Sequence, residues 1–146
     1  MPKPFKLETV LNHRQRLEEM AVQKLAEAIN KEKILLSKLV EQEKFLNLQI
    51  EELTERQTTG ISVHELQVYR LSIQRQQSQL QGLRNQAEQF AKEVENRRRQ
   101  LAEACRKKKL LEKLKEKHLD EQTFLDNLKE SAQLDEIALR TGMTDL

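Results

Sequence analysis

Thr58-Thr59-Gly60-Ile61-Ser62 reads as a reversal of the chain, and it separates two long runs of helical sequence. Two β-branched threonines weaken the helix before them, Gly60 tolerates positive φ, and Ser62 is able to start a helix. Glu65 lies three residues beyond Ser62, which is capping-box spacing. The serine caps the third helical N–H while the glutamate reaches back. A turn over 58–62 and a helix from about 63 follow. Proline occurs only at positions 2 and 4, so neither run holds an internal breaker. Gly82 falls within a periodic pattern and is tolerated at about 1 kcal/mol against alanine. Gly142 fits a terminal cap.

Outward from the turn, apolar residues recur in alternating steps of three and four. On the first run they are Val22, Leu25, Ile29, Leu36, Leu39, Leu46, Ile50 and Leu53, interrupted by Glu32 and Glu43. Leu7, Val10, Arg14, Leu17 and Ala21 form a similar stripe displaced by about one residue, as a 3.6-residue helix produces when it drifts from a strict heptad. On the second run the steps give Leu66, Tyr69, Ile73, Gln76, Leu80, Leu83, Ala87, Phe90, Val94, Arg97, Leu101 and Ala104. They resume at Leu111, Leu114, His118, Glu121, Leu125 and Leu128. Narrow stripes flanked by charge suit a coiled-coil seam. Joined by a short turn, the two stripes bury one another antiparallel. The expected fold is all-α: a long two-helix antiparallel coiled-coil hairpin, one domain over 1–146, with helices at about 5–57 and 63–140. At 1.5 Å per residue the helices would be about 75–80 Å and 110–115 Å long, so the last two dozen residues overhang.

Composition agrees. Charged residues make up 34% of the 146, aromatics 3%, with three Gly and no Trp, which is the signature of long helices and not of a compact globule. Disorder is the competing reading for so polar a chain, and the regular recurrence of Leu, Ile and Val argues against it. A net charge of +2 is too small to mark a nucleic-acid binder by itself. A single Cys105 allows no internal disulfide, and no stretch approaches a membrane span. A soluble, cytoplasmic protein is expected.

Chemistry is hard to place on such a chain. His13, His64 and His118 lie far apart without a second ligand at helical spacing, so no metal site is expected. Cys105 precedes Arg106-Lys107-Lys108-Lys109, which would favour its thiolate; a small residue beside the seam is the simpler reading. No glycine belongs to a phosphate-cradling loop, and a catalytic constellation needs a concave site. Neither an enzyme nor a cofactor is expected. The charge layout says more. From Arg97 to Lys117 ten basic residues face only Glu103, Glu112 and Glu116, whereas Asp120, Glu121, Asp126, Glu130, Asp135, Glu136 and Asp145 make the end acidic. Three readings of the basic block stay open: a solvated face paired to the first helix, a docking face for an acidic protein, or a nucleic-acid or anionic-lipid contact. The absence of interleaved aromatics counts against nucleic acid.

The order of these features is familiar. Phe5-Lys6-Leu7-Glu8-Thr9-Val10-Leu11 opens the chain, and Gly60-Ile61-Ser62 starts a second helix with Leu66, Tyr69 and Ile73 on its inner stripe. Lys107-Lys108-Lys109-Leu110-Leu111-Glu112-Lys113-Leu114-Lys115-Glu116-Lys117 precedes a closing Leu134-Asp135-Glu136-Ile137-Ala138. In length, turn position and C-terminal block together, the chain resembles the flagellar export protein FliJ family over nearly its whole length. That resemblance implies a stalk-like component of the flagellar type III export apparatus, peripherally associated with the inner face of the cell membrane. Its partners would be the export ATPase ring, the cytoplasmic domain of the membrane export gate, and export chaperones that it escorts. Free of partners it would be a monomeric hairpin.

The family's gate-contacting face corresponds here to Lys38, Gln42, Phe45 and Gln49 on the first helix and Ser72, Gln76, Gln79 and Leu83 on the second. The family's pattern at those positions is more apolar and aromatic than this one. Phe45, just off the seam beside Leu46, is the expected anchor, against the alternative of a ring folded along the hairpin. For the ATPase end the resemblance points to Lys6, Leu7, Leu11 and Arg14 with Leu111, Leu114 and Lys115. Two other readings remain: a stalk protein of a virulence type III secretion system, and an unrelated dimeric coiled-coil scaffold whose seams pair between chains.

Overall fold

A computed structural model describes residues 4–144, with side chains through 142. Asp145 of the acidic end and residues 1–3 lie outside the described residues. Two long helices pack against each other, α1 (Glu8–Thr59) and α2 (Val63–Thr144), with no strand among the described residues. The chain forms two units, one of Ala21–Leu101 around the turn and one of Met1–Met20 with Ala102–Leu146.

In the turn unit, the reversal is shorter than 58–62. Thr58 and Thr59 stay helical, and their hydroxyls bond back into the preceding turn. Thr58 Oγ1 donates to the Glu55 carbonyl at 2.7 Å, and Thr59 Oγ1 lies 3.3 Å from the Glu55 and Arg56 carbonyls. Gly60 then takes φ 107°, the left-handed cap that β-carbon sterics deny other residues, and its N–H donates to Arg56 O at 3.0 Å. Ser62 Oγ accepts from the Glu65 N–H at 3.1 Å, so the serine half of the capping box forms. The Glu65 carboxylate turns to Arg56 across the turn, 2.6 Å away.

The α2 stripe from Leu66 to Leu101 faces the seam as expected, with Leu80 and Val94 buried. On α1 only half of the expected stripe does. Leu25, Leu39 and Leu53 are half-buried and Leu46 is buried, but the alternate positions are filled one residue earlier, by Ala28, Leu35, Gln42 and Gln49. Val22, Ile29, Leu36 and Ile50, expected inside, are exposed. Adjacent apolar residues such as Leu35-Leu36 offer the helix two phases, and packing against α2 decides between them. Leu35 lies in one groove with Phe90 and Leu83 of α2.

The terminal unit begins with a turn at Phe5–Leu7, where the expected helix was to start; the Glu8 N–H donates to Phe5 O at 3.1 Å. A glutamate in the first turn of α1 complements the helix dipole. Leu11 is buried against a seam in which Lys108, Leu111, Lys115 and His118 are half-buried. Leu114, Leu125 and Leu128, expected on that stripe, are exposed instead. Every side chain from 123 to 142 is exposed, and α2 continues through Gly142 without capping there. Polar seam residues find partners: Lys108 lies 3.5 Å from Glu18 and 3.5 Å from Glu112, and Lys115 lies 3.0 Å from Glu8. The Phe5 ring sits 5.7 Å from the His118 ring.

Candidate docking flanks

An antiparallel two-helix coil has one buried seam and two flanks, and any contact with another macromolecule must use the flanks or an unpaired end. In the turn unit one flank carries the expected gate-contact residues. Steps of four and three place Lys38, Gln42, Phe45 and Gln49 along one edge of α1, and Ser72, Gln76, Gln79 and Leu83 along one edge of α2. The two edges meet. Gln49 Nε2 donates to Ser72 Oγ at 3.0 Å, and Lys38 shares a groove with Leu83.

The eight residues do not present themselves equally. Lys38, Phe45 and Gln79 are exposed, whereas Gln42, Gln49, Ser72, Gln76 and Leu83 are half-buried at the seam edge. Phe45 is 56% exposed. The Oε1 atoms of Gln49 and Gln76 are buried without a hydrogen-bond partner. Leaving a buried amide oxygen unpaired costs about 1–3 kcal/mol, so this part of the seam is weakly held.

Further along the same flank, Tyr69 donates its hydroxyl to Glu52 Oε1 at 2.9 Å. That bond to a carboxylate, with partial burial and the Glu52 charge adding to it, raises the Tyr69 phenol above 10.0. The groove also includes Ile34, Leu35 and Phe90, which the sequence reading did not assign to the flank. Their signal was the correct seam phase, since moving the α1 stripe back by one residue brings Ile34 to the groove edge. On the opposite flank Arg84 Nη2 donates to Glu43 Oε1 at 3.3 Å.

In the terminal unit the seven residues expected at the ATPase end fall into two groups. Lys6, Leu7 and Leu114 are exposed; Arg14, Leu111 and Lys115 are half-buried, and Leu11 is buried. Leu11 therefore shapes the seam. Within the basic block, Arg106 makes two bonds to Glu103, at 2.6 and 3.2 Å, which hold the Glu103 carboxyl below its usual range. Lys108 is partly desolvated, which opposes its charge. Glu18 and Glu112 outweigh that and keep its ammonium above the ordinary lysine value. Among the described residues no group of His, Cys, Asp and Glu is placed to hold a metal ion. No described helix is long and apolar enough to cross a membrane.

Helix pairing, seam and flanks define the class, an antiparallel two-helix coiled coil. The model of the flagellar FliJ protein family matches residues 2–145, and the chain belongs to that family. It is thus a flagellar export-associated protein, of a family that is a non-catalytic component of that export. No curated protein and no solved structure matches the chain.

Proposed function

We propose that this chain works as a single hairpin domain that links two parts of the flagellar export apparatus: the export ATPase ring and the cytoplasmic domain of the membrane export gate. Phe45 carries the reading. An aromatic ring 56% exposed on the edge of a coiled coil, between Lys38 and the Gln49–Ser72 hydrogen bond, has the chemistry of an interface anchor. The gate would cover that ring and enter the groove beside it, with Lys38 and Gln79 as the polar rim and Leu83 as its floor. The Gln49–Ser72 hydrogen bond ties the two edges together, with Gln42 and Gln76 half-buried beside it.

The ATPase ring would take the terminal unit, with Lys6, Leu7 and Leu114 in contact, Leu11 and Leu111 holding the seam, and Arg14 and Lys115 at its rim. The exposed segment from 123 to 142, with Phe124, Leu125 and Leu128 outward, offers that ring further apolar surface. Residence at the cytoplasmic face of the membrane and escort of export chaperones belong to the same proposal.

Phe45→Ala is the test. Binding of the purified gate domain is expected to weaken at least about tenfold, the loss of an aromatic anchor, and motility of cells carrying the variant to fall. Unchanged gate binding and swimming would remove Phe45 from the site.

A further inference from the structure

On α1 of the turn unit a second stripe runs beside the seam, on the flank away from Phe45, and no described residue covers it. Its central positions step by three and four through Ile29, Lys33, Leu36, Val40 and Glu43, with Ala26 before them and Asn47 and Ile50 after. Ile29 is 41% exposed, Leu36 45%, Val40 48% and Ile50 38%, and an open groove bordered by Ile29, Lys33, Leu36 and Val40 lies at the middle. On the stripe's borders stand the uncharged Asn30 and Ser37 together with Glu32, Glu41 and Lys44, which line the same groove. An exposed apolar strip rimmed by polar and charged residues marks a protein interface.

The residue order along the stripe bears on what would cover it. Laid antiparallel on a copy of itself, with the two-fold axis level with residue 38, the stripe is self-complementary. Leu36 meets the partner's Val40, and symmetry repeats that layer. Lys33 meets the partner's Glu43, again twice. Ala26 then meets the partner's Ile50, and Ile29 the partner's Asn47. Sliding the copies by one heptad sets Lys33 against the partner's Leu36 and Glu43 against the partner's Ala26. Sliding by a second heptad sets Lys33 against the partner's Ile29 and brings the two Lys33 side chains within about 6 Å along the axis. Both shifts trade attraction for unpaired or like charge in an apolar layer.

We propose that this face of α1 is a docking surface for a second copy of the chain. The copies are antiparallel and two-fold symmetric, with central Leu36–Val40 layers flanked by Lys33–Glu43 pairs. Glu43 already accepts from Arg84 at 3.3 Å, and a carboxylate has room for both cations. The contact is narrow and its flanking layers are polar, so the dimer is weak and forms where copies are concentrated. It leaves the Phe45 flank free, so the fate of this proposal and of the gate contact are decided by separate measurements.

Sedimentation of the full chain over a wide concentration range tests it. The wild-type mass should climb with loading toward twice that of the monomer. Leu36→Glu with Val40→Glu, both exposed and outside the seam, should keep full helicity by circular dichroism and remain monomeric. Lys33→Glu sets glutamate against glutamate and Glu43→Lys sets lysine against lysine, so each alone should weaken the dimer about tenfold. Mixed in equal amounts, those two variants should form a heterodimer, because the acidic stripe of one now meets the basic stripe of the other. A wild-type mass that stays monomeric at every loading overturns the proposal. So does association of the Leu36→Glu/Val40→Glu variant like wild type, or a mixture of the charge variants no more dimeric than either alone.

Discussion

Tyr69 is the only tyrosine in the chain, so its titration can be followed without interference. Its hydroxyl donates to Glu52, and the fold therefore favours the neutral phenol and raises its pKa above 10.0. With the folded value above the unfolded one, the stabilisation is fully present below pH 10.0 and is lost as pH climbs through the raised value. Ultraviolet titration should place the Tyr69 midpoint above the ordinary phenol value, and Glu52→Gln should bring it back down. A midpoint indifferent to that substitution would mean that the bond does not persist in solution. Tyr69 was legible as a seam residue from spacing alone. Its bond to Glu52 was not, since periodicity places a side chain on a face and says nothing of which neighbour its polar tip reaches. The same holds for Glu65, whose spacing from Ser62 promised a return bond while its carboxylate went to Arg56.

At the level of the helices, the turn and the α2 stripe could be read directly because each rested on residues with no competing option. Gly60 at φ 107° is such a residue. Gly60→Ala should destabilise the hairpin by about 1–2 kcal/mol, the strain of a β-carbon in the left-handed region, as measured by thermal or denaturant unfolding. The α1 stripe was read in the wrong phase at alternate positions because Leu35-Leu36 and Ala28-Ile29 both satisfy a helical period within one residue. Packing against α2 resolves it, which no window of α1 alone contains. Paired substitutions test the phase. Leu46→Ala, in the seam and only 7% exposed, should cost about 2–3 kcal/mol. Leu36→Ala, 45% exposed, should cost less than about 0.5 kcal/mol in dilute protein. Equal losses would return Leu36 to the core and remove the outer stripe. The C-terminal stripe failed in two ways. Leu114 is out of phase with Leu111, Lys115 and His118, which face the seam. Leu125 and Leu128 lie beyond the last half-buried residue, Gln122, where no described residue covers them.

For the molecule as a whole, fold and family were both readable from one sequence, because composition, a single interior turn and the order of the charged blocks agree with one another. The exposure of the residues expected on the flanks was not readable. Five of the eight expected gate-contact residues are half-buried at the seam edge, and Leu11 of the terminal set is buried; exposed flank residues and seam-edge residues share one spacing in the sequence. Exposure separates them, leaving Lys38, Phe45 and Gln79 on one flank and Lys6, Leu7 and Leu114 in the terminal unit. The central claim is that these two surfaces engage two different parts of the export apparatus. The most direct test is a pull-down of the purified protein against the export ATPase and, separately, against the cytoplasmic domain of the export gate, with wild type beside Phe45→Ala. The account predicts that wild type binds both and that Phe45→Ala keeps the ATPase while losing the gate. Binding to neither by the folded wild-type protein would contradict it.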